Sequence, residues 1–172
     1  MNLRLRFKTY LFIPFKYKIH YMEITQKNLN RFLFFKLPSA WWCGVRVKKI
    51  TQSICEVTVT HKWINQNPFR SMYFAVQAMA AELSTGALVM KGIKESEEKI
   101  SMLVAQNKAS FSKKATGKIT FSCNDDKKIL EAIKNTIATG EGQTFWLESQ
   151  GVNGSGVVVS NFEFEWTIKL KK

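Results

Sequence analysis

Hydrophobic and polar side chains alternate most cleanly near the end of the chain. There Phe162, Phe164, Trp166, Ile168 and Leu170 fall on one face of an extended segment, and Asn161, Glu163, Glu165, Thr167 and Lys169 on the other. A period of two predicts a half-buried antiparallel strand. It is joined to "GQTFWLES" through "QGVNGSG", whose Asn153-Gly154 pair predicts a hairpin turn; the Lys-Ser/Thr and following helix of a phosphate loop are missing. The same alternation places Val45 and Val47 on one face of a strand, Cys55, Val57 and Val59 on one face of its antiparallel neighbour, and Ile119, Phe121 and Cys123 on one side of another. Residues 100–111 read as a further strand. Residues 28–37 predict a short aromatic helix or turn ending before Pro38. Residues 124–140 predict a surface helix capped by Asn124, with Ile129, Ile133 and Ile137 on one face and Gly140 as its stop.

A different pattern occupies residues 65–90, "NQNPFRSMYFAVQAMAAELSTGALVM". From Ser71, a candidate cap, to about Met90, the spacing predicts a long helix that is apolar nearly all round, with Gln77, Glu82, Ser84 and Thr85 as its polar side chains. Such a helix either spans a membrane or is wrapped by protein. Glu82, Gln77, the modest hydrophobicity of the Ala-rich stretch and the amphipathic strands on both sides argue against spanning. The remaining solution is a curved antiparallel sheet folded around one central helix, approached closely at Ala75, Ala78, Ala80, Ala81 and Gly86.

Composition narrows the function. A chain of 172 residues supports one domain with a substantial core. Its net charge of +13 raises nucleic acid or an anionic surface as partners. However, the basic residues are scattered over strands and loops, without a basic helix stripe or a zinc-finger or helix-turn-helix pattern, which argues against nucleic acid. Residues 1–21 carry Arg4, Arg6, Lys8, Lys16 and Lys18 and no acid, and their apolar run is broken by Pro14. They read as an extension upstream of a start at Met22 rather than as a signal peptide or a segment lying on a membrane surface, so a membrane is not expected as a partner. Cys43, Cys55 and Cys123 form no CxxC pair and no metal set with His20 and His61, so they read as reduced residues of a cytoplasmic protein. Neither a metal nor a cofactor is called for. His61 reads as a strand-face residue.

The order of elements, with "NPFRSMYFAVQAMAAELSTG" between the second strand and the third, resembles the hotdog fold over about residues 30–170. More closely, it resembles an uncharacterised hotdog domain related to acyl-CoA thioesterases of the phenylacetate-pathway type. The resemblance implies an α+β fold in residues 22–172 and hydrolysis of an acyl-CoA or related acyl thioester. Such enzymes carry a loop Asn, a Gly three residues later, a His-Gly-Gly at the helix start and an acid within the helix. Asn67 and Glu82 match two of these positions, while Arg70 replaces the Gly and Tyr73-Phe74-Ala75 replaces His-Gly-Gly.

On that resemblance Glu82 is the general base or nucleophile, since a carboxylate among apolar walls has its pKa raised. Asn67 orients the water or thioester, the backbone N–H groups of Tyr73 and Phe74 hold the oxyanion, and Arg70, Lys113 and Lys114 meet the phosphates of coenzyme A. A helix starting at Ser71 would put Glu82 about 16 Å along its axis, so Asn67 and Glu82 would come from two subunits of a homodimer or dimer of dimers. The residues alone also permit Glu82 as a packing acid, Asn67 as a turn residue and the lysines as solvated surface. On that footing the alternative is a non-catalytic module that binds acyl-CoA or lipid.

Overall fold

A computed structural model describes residues 23–171. The segment over residues 1–21, read as an extension, lies outside the described residues. Helices α1 (Gln26–Lys36) and α2 (Pro38–Trp42) lead into β1 (Arg46–Ile50) and β2 (Cys55–Thr60). The long helix α3 (Phe74–Glu95) is followed by β3 (Ile100–Phe111), β4 (Lys118–Cys123), α4 (Asp126–Thr139), β5 (Gln143–Asn153) and β6 (Val158–Leu170). The strands form one antiparallel sheet in the order β1-β2-β4-β5-β6-β3.

The expected alternation is observed: Val47, Cys55, Val57, Val59, Ile119, Phe121, Phe162, Phe164, Trp166 and Ile168 are all buried. They share a core with Val76, Ala80, Ala81, Ala87, Leu88 and Val89 of α3, so the sheet wraps the helix as the hotdog resemblance implies. Small residues permit the close approach. A Cβ at Gly86 would stand 3.0 Å from the Trp166 ring, and one at Gly92 only 2.9 Å from Ile133, where α4 seals the far end of α3.

Local details depart from the sequence expectation. The helix starts at Phe74 rather than Ser71, whose hydroxyl is held by Asn67 in the preceding loop, and it continues past Met90 to Glu95. Asp125, not Asn124, is the N-cap of α4; one carboxylate oxygen accepts from the Glu148 N–H at 2.9 Å and the other pairs with Lys128 at 3.0 Å. Ile137 is 40% exposed and lies at the margin of the face that Ile129 and Ile133 bury. The β5–β6 hairpin closes through a wider loop than a two-residue turn. Asn153 Oδ1 accepts from the N–H groups of Ser155 and Val157, and the left-handed residue is Gly156, at φ 76°.

The two edges of the sheet are treated differently. On β1, the Asn30 side chain takes both outward backbone groups of Val47, donating to its carbonyl at 2.9 Å and accepting from its N–H at 3.0 Å. On β3, a strand of 12 residues is paired, among the described residues, only with β6. An open edge of that length is a template for pairing with another chain.

Candidate active site

The connection from β2 to α3 is organised by a residue that sequence reasoning missed. Asn65 is buried, its amide donates to the carbonyls of Cys43 and Thr60, both at 2.9 Å, and its Oδ1 accepts from the Lys62 N–H at 2.8 Å. Its carbonyl accepts from the Tyr73 N–H at 2.8 Å. One residue thus ties the end of α2 and the end of β2 through its side chain, and the start of α3 through its backbone carbonyl. The only sequence signal is a second Asn two positions before Asn67, which pattern alone does not distinguish from an ordinary loop residue.

Asn67 shapes the next turn. Its Oδ1 accepts from the N–H groups of Phe69 (2.9 Å) and Ser71 (3.2 Å), and its amide lies 3.1 Å from Ser71 Oγ. This is an Asx turn, in which the side chain stands in for backbone and is largely consumed by its own loop. Arg70 follows at φ +56°, in the left-handed region that favours glycine. The substitution of Arg for the Gly of related thioesterases therefore falls where the backbone calls for one.

A cleft of about 540 Å³ opens beside this loop, lined among others by Asn67, Phe69, Tyr73, Phe74, Phe111, Lys113 and Lys114. Five of the seven residues expected at the site are thus together. Arg70 and Glu82 are not part of the cleft wall. Lys114 Nζ donates to the Phe69 carbonyl at 3.2 Å, whereas Lys113 has no side-chain partner among the described residues. The open backbone N–H groups fall one residue later than the expected Tyr73 and Phe74. The Tyr73 N–H is committed to Asn65, and among the described residues the N–H groups of Phe74 and Ala75, at the first turn of α3, have no acceptor. A helix start leaves such groups open by geometry, and they carry the positive end of the helix dipole.

Glu82 lies eight residues beyond Phe74, about 12 Å along the helix. It is half-buried, and among the described residues no donor reaches its carboxylate. The space that a methyl group would fill at Gly86 is walled by the Trp166 ring at 3.0 Å and by Glu82 Oε1 at 3.4 Å. Burial beside this apolar wall raises the carboxyl pKa above its ordinary value. His61, by contrast, leaves the strand, donates its backbone N–H to Gly117 at 2.8 Å and keeps a buried Nε2 without a hydrogen-bond partner.

The sequence matches the family described as "Domain of unknown function (DUF4442)" over residues 9–168. The chain belongs to the DUF4442 family. Several solved structures share its fold. A Pseudomonas aeruginosa protein of unknown function, PA5026, described as a probable thioesterase, is 20% identical with a TM-score of 0.73 and covers 84% of this chain and 96% of its own. A Chlorobaculum tepidum protein of unknown function gives 15% identity, a TM-score of 0.74 and coverage of 86% and 98%. The thioesterase HI1161 of Haemophilus influenzae gives 15%, 0.66, and 87% and 93%. No functionally curated protein matches the sequence. The hotdog architecture of this DUF4442 chain is therefore shared with these proteins at low identity. Among its described residues, no helix is long and apolar enough to cross a membrane.

Proposed function

We propose that this DUF4442 protein hydrolyses an acyl thioester, with acyl-CoA as the substrate class, and that Glu82 is the base. The observation that carries this reading is the carboxylate itself: half-buried, beside Trp166, with no donor among the described residues. In the reaction the Glu82 carboxylate takes a proton from water as the water oxygen bonds to the thioester carbon. The carbonyl oxygen becomes an oxyanion that accepts hydrogen bonds from the Phe74 and Ala75 N–H groups. Collapse breaks the carbon–sulfur bond, and the departing thiolate recovers the proton from Glu82, leaving a carboxylic acid and a free thiol. Lys113 and Lys114, at the cleft mouth, meet the phosphates of the carrier, and Asn67 keeps the loop that positions them.

The distance along α3 separates Glu82 from the cleft of its own chain. A homodimer resolves this, the acid of one subunit facing the cleft of its partner. The open β3 edge, set against the β1 edge closed by Asn30, supports pairing of two copies through β3. One observation favours a second reading. The Asn67 side chain is spent on its own loop, as a module that binds acyl thioesters without hydrolysing them would also allow.

The test is thiol release from short, long and aromatic acyl-CoA thioesters by the protein and by Glu82→Gln. Turnover that disappears in the variant while acyl-CoA binding persists supports the enzyme reading. Binding without turnover in the unaltered protein selects the binding module.

A further inference from the structure

Three segments of the molecule end in large apolar side chains that face solvent. Trp63 is 83% exposed, Phe69 72%, Trp42 70% and Ile64 50%. They are not scattered. Asn65 bonds the Cys43 carbonyl, next to Trp42, and lies two and one residues after Trp63 and Ile64, while the Gln66–Met72 bridge holds the turn that carries Phe69. Water-exposed indole and phenyl groups gathered at one corner mark an interaction surface rather than a random surface exposure.

The charge around this corner states the partner's chemistry. Residues 24–55, 57–81 and 99–124 contain lysines and arginines but no Asp or Glu. Lys62 and Arg70 flank the two aromatic tips, both are exposed, and neither is ion-paired among the described residues. A partner must therefore be negatively charged at its surface and accept indole, phenyl and aliphatic groups just beneath it. We infer that the corner formed by Trp42, Trp63, Ile64 and Phe69, with Lys62 and Arg70, docks the protein onto an anionic lipid surface. Indoles settle at the headgroup level of a bilayer, and lysines and arginines are drawn to anionic headgroups. Ile64 has no flat face to stack on a nucleobase, which separates this surface from a single-strand groove. Since no helix among the described residues can cross a membrane, the contact is peripheral. It does not depend on hydrolysis of a thioester.

The test is sedimentation of the full chain with extruded vesicles of phosphatidylcholine alone and of phosphatidylcholine with phosphatidylserine. The protein sediments with the anionic vesicles and stays in solution with the neutral ones. Trp63→Ser combined with Ile64→Ser lowers the bound fraction about tenfold with an unchanged circular dichroism spectrum. Lys62→Glu weakens binding at low ionic strength, and the difference shrinks at about 0.5 M salt. Three results overturn the inference. The first is a wild-type chain that ignores anionic vesicles; the second is a double variant that binds them as well as wild type, which takes Trp63 and Ile64 out of the contact. The third is a double variant that loses its dimer or its grip on a single-stranded oligonucleotide while keeping the vesicles.

Discussion

The polar residues of α3 are treated in two opposite ways. On the side facing the sheet, Gln77 Oε1 accepts from Ser160 Oγ at 2.9 Å, Ser84 Oγ meets Ser149 Oγ at 2.7 Å, and Thr85 Oγ1 accepts from the Trp166 indole N–H at 3.1 Å. These side chains are buried, and each is tied to β5 or β6. Glu82, close to the same Trp166 ring, has no such partner among the described residues. Buried polar groups usually find hydrogen bonds because leaving one unmade costs about 1–3 kcal/mol. The sheet-facing residues obey that rule and act as rivets. Glu82 is only half-buried and carries no such bond among the described residues, which is what the proposed role as base requires of it.

Replacing each residue by a near-isostere separates rivet from reagent. The largest effect belongs to Glu82→Gln, which is expected to lower kcat for thiol release by about 10²–10⁴-fold, the usual scale of general base catalysis. If the unaltered protein hydrolyses thioesters through Glu82, the rising limb of kcat/KM against pH should lie above the ordinary carboxylate value of 4.5, because burial raises the Glu82 pKa. The same shift has a stability sign. Between 4.5 and the raised folded value the folded chain holds more protons than the unfolded one, so stability falls as pH rises through that window. Glu82→Gln should therefore melt higher than wild type at pH 8, and the gain should vanish below pH 4.5. Loss of activity together with lower stability at pH 8 would show instead that the acid is structural.

Thr85→Val removes the acceptor of the buried Trp166 indole and is expected to cost about 1–3 kcal/mol, lowering Tm by about 2–4 °C per kcal/mol, with kcat little changed. Ser84→Ala alone should cost somewhat less, and Ser84→Ala with Ser149→Ala should recover most of that loss, since neither hydroxyl is then orphaned. A thermal-melt double-mutant cycle measures this. The smallest effect is expected at Arg70, where φ is +56°: Arg70→Gly relieves backbone strain and should gain about 1 kcal/mol at most, read as a slightly higher Tm.

Much of this architecture was legible in the chain because it depends on periodicity. β6 buries Phe162, Phe164, Trp166 and Ile168 as its alternation requires, and α3, apolar on nearly every side, has to be enclosed by something. Glu82 was legible for the same reason, as the one acid in the apolar stretch from Ser71 to Met90. The loop before α3 was less so. A Ser at position 71 is an ordinary helix cap, yet the Asx turn of Asn67 claims its hydroxyl and delays the helix to Phe74. That delay moves the open N–H groups from Tyr73 and Phe74 to Phe74 and Ala75, because Asn65 has already taken the Tyr73 N–H.

The sequence by itself determined which face of each strand is buried, that a central helix needs a sheet around it, and that a carboxylate, Glu82, sits in the middle of that helix. These are properties of side-chain spacing, written at periods of two and 3.6 residues. Only the tertiary structure decided which backbone groups remain open at the start of α3, which polar residues of the helix are satisfied, and which sheet edge is left bare. Those outcomes depend on hydrogen-bond partners distant in sequence, such as Asn65 with Cys43, Thr85 with Trp166 and Asn30 with Val47, whose meeting is set by the packing of whole elements and not by any local pattern.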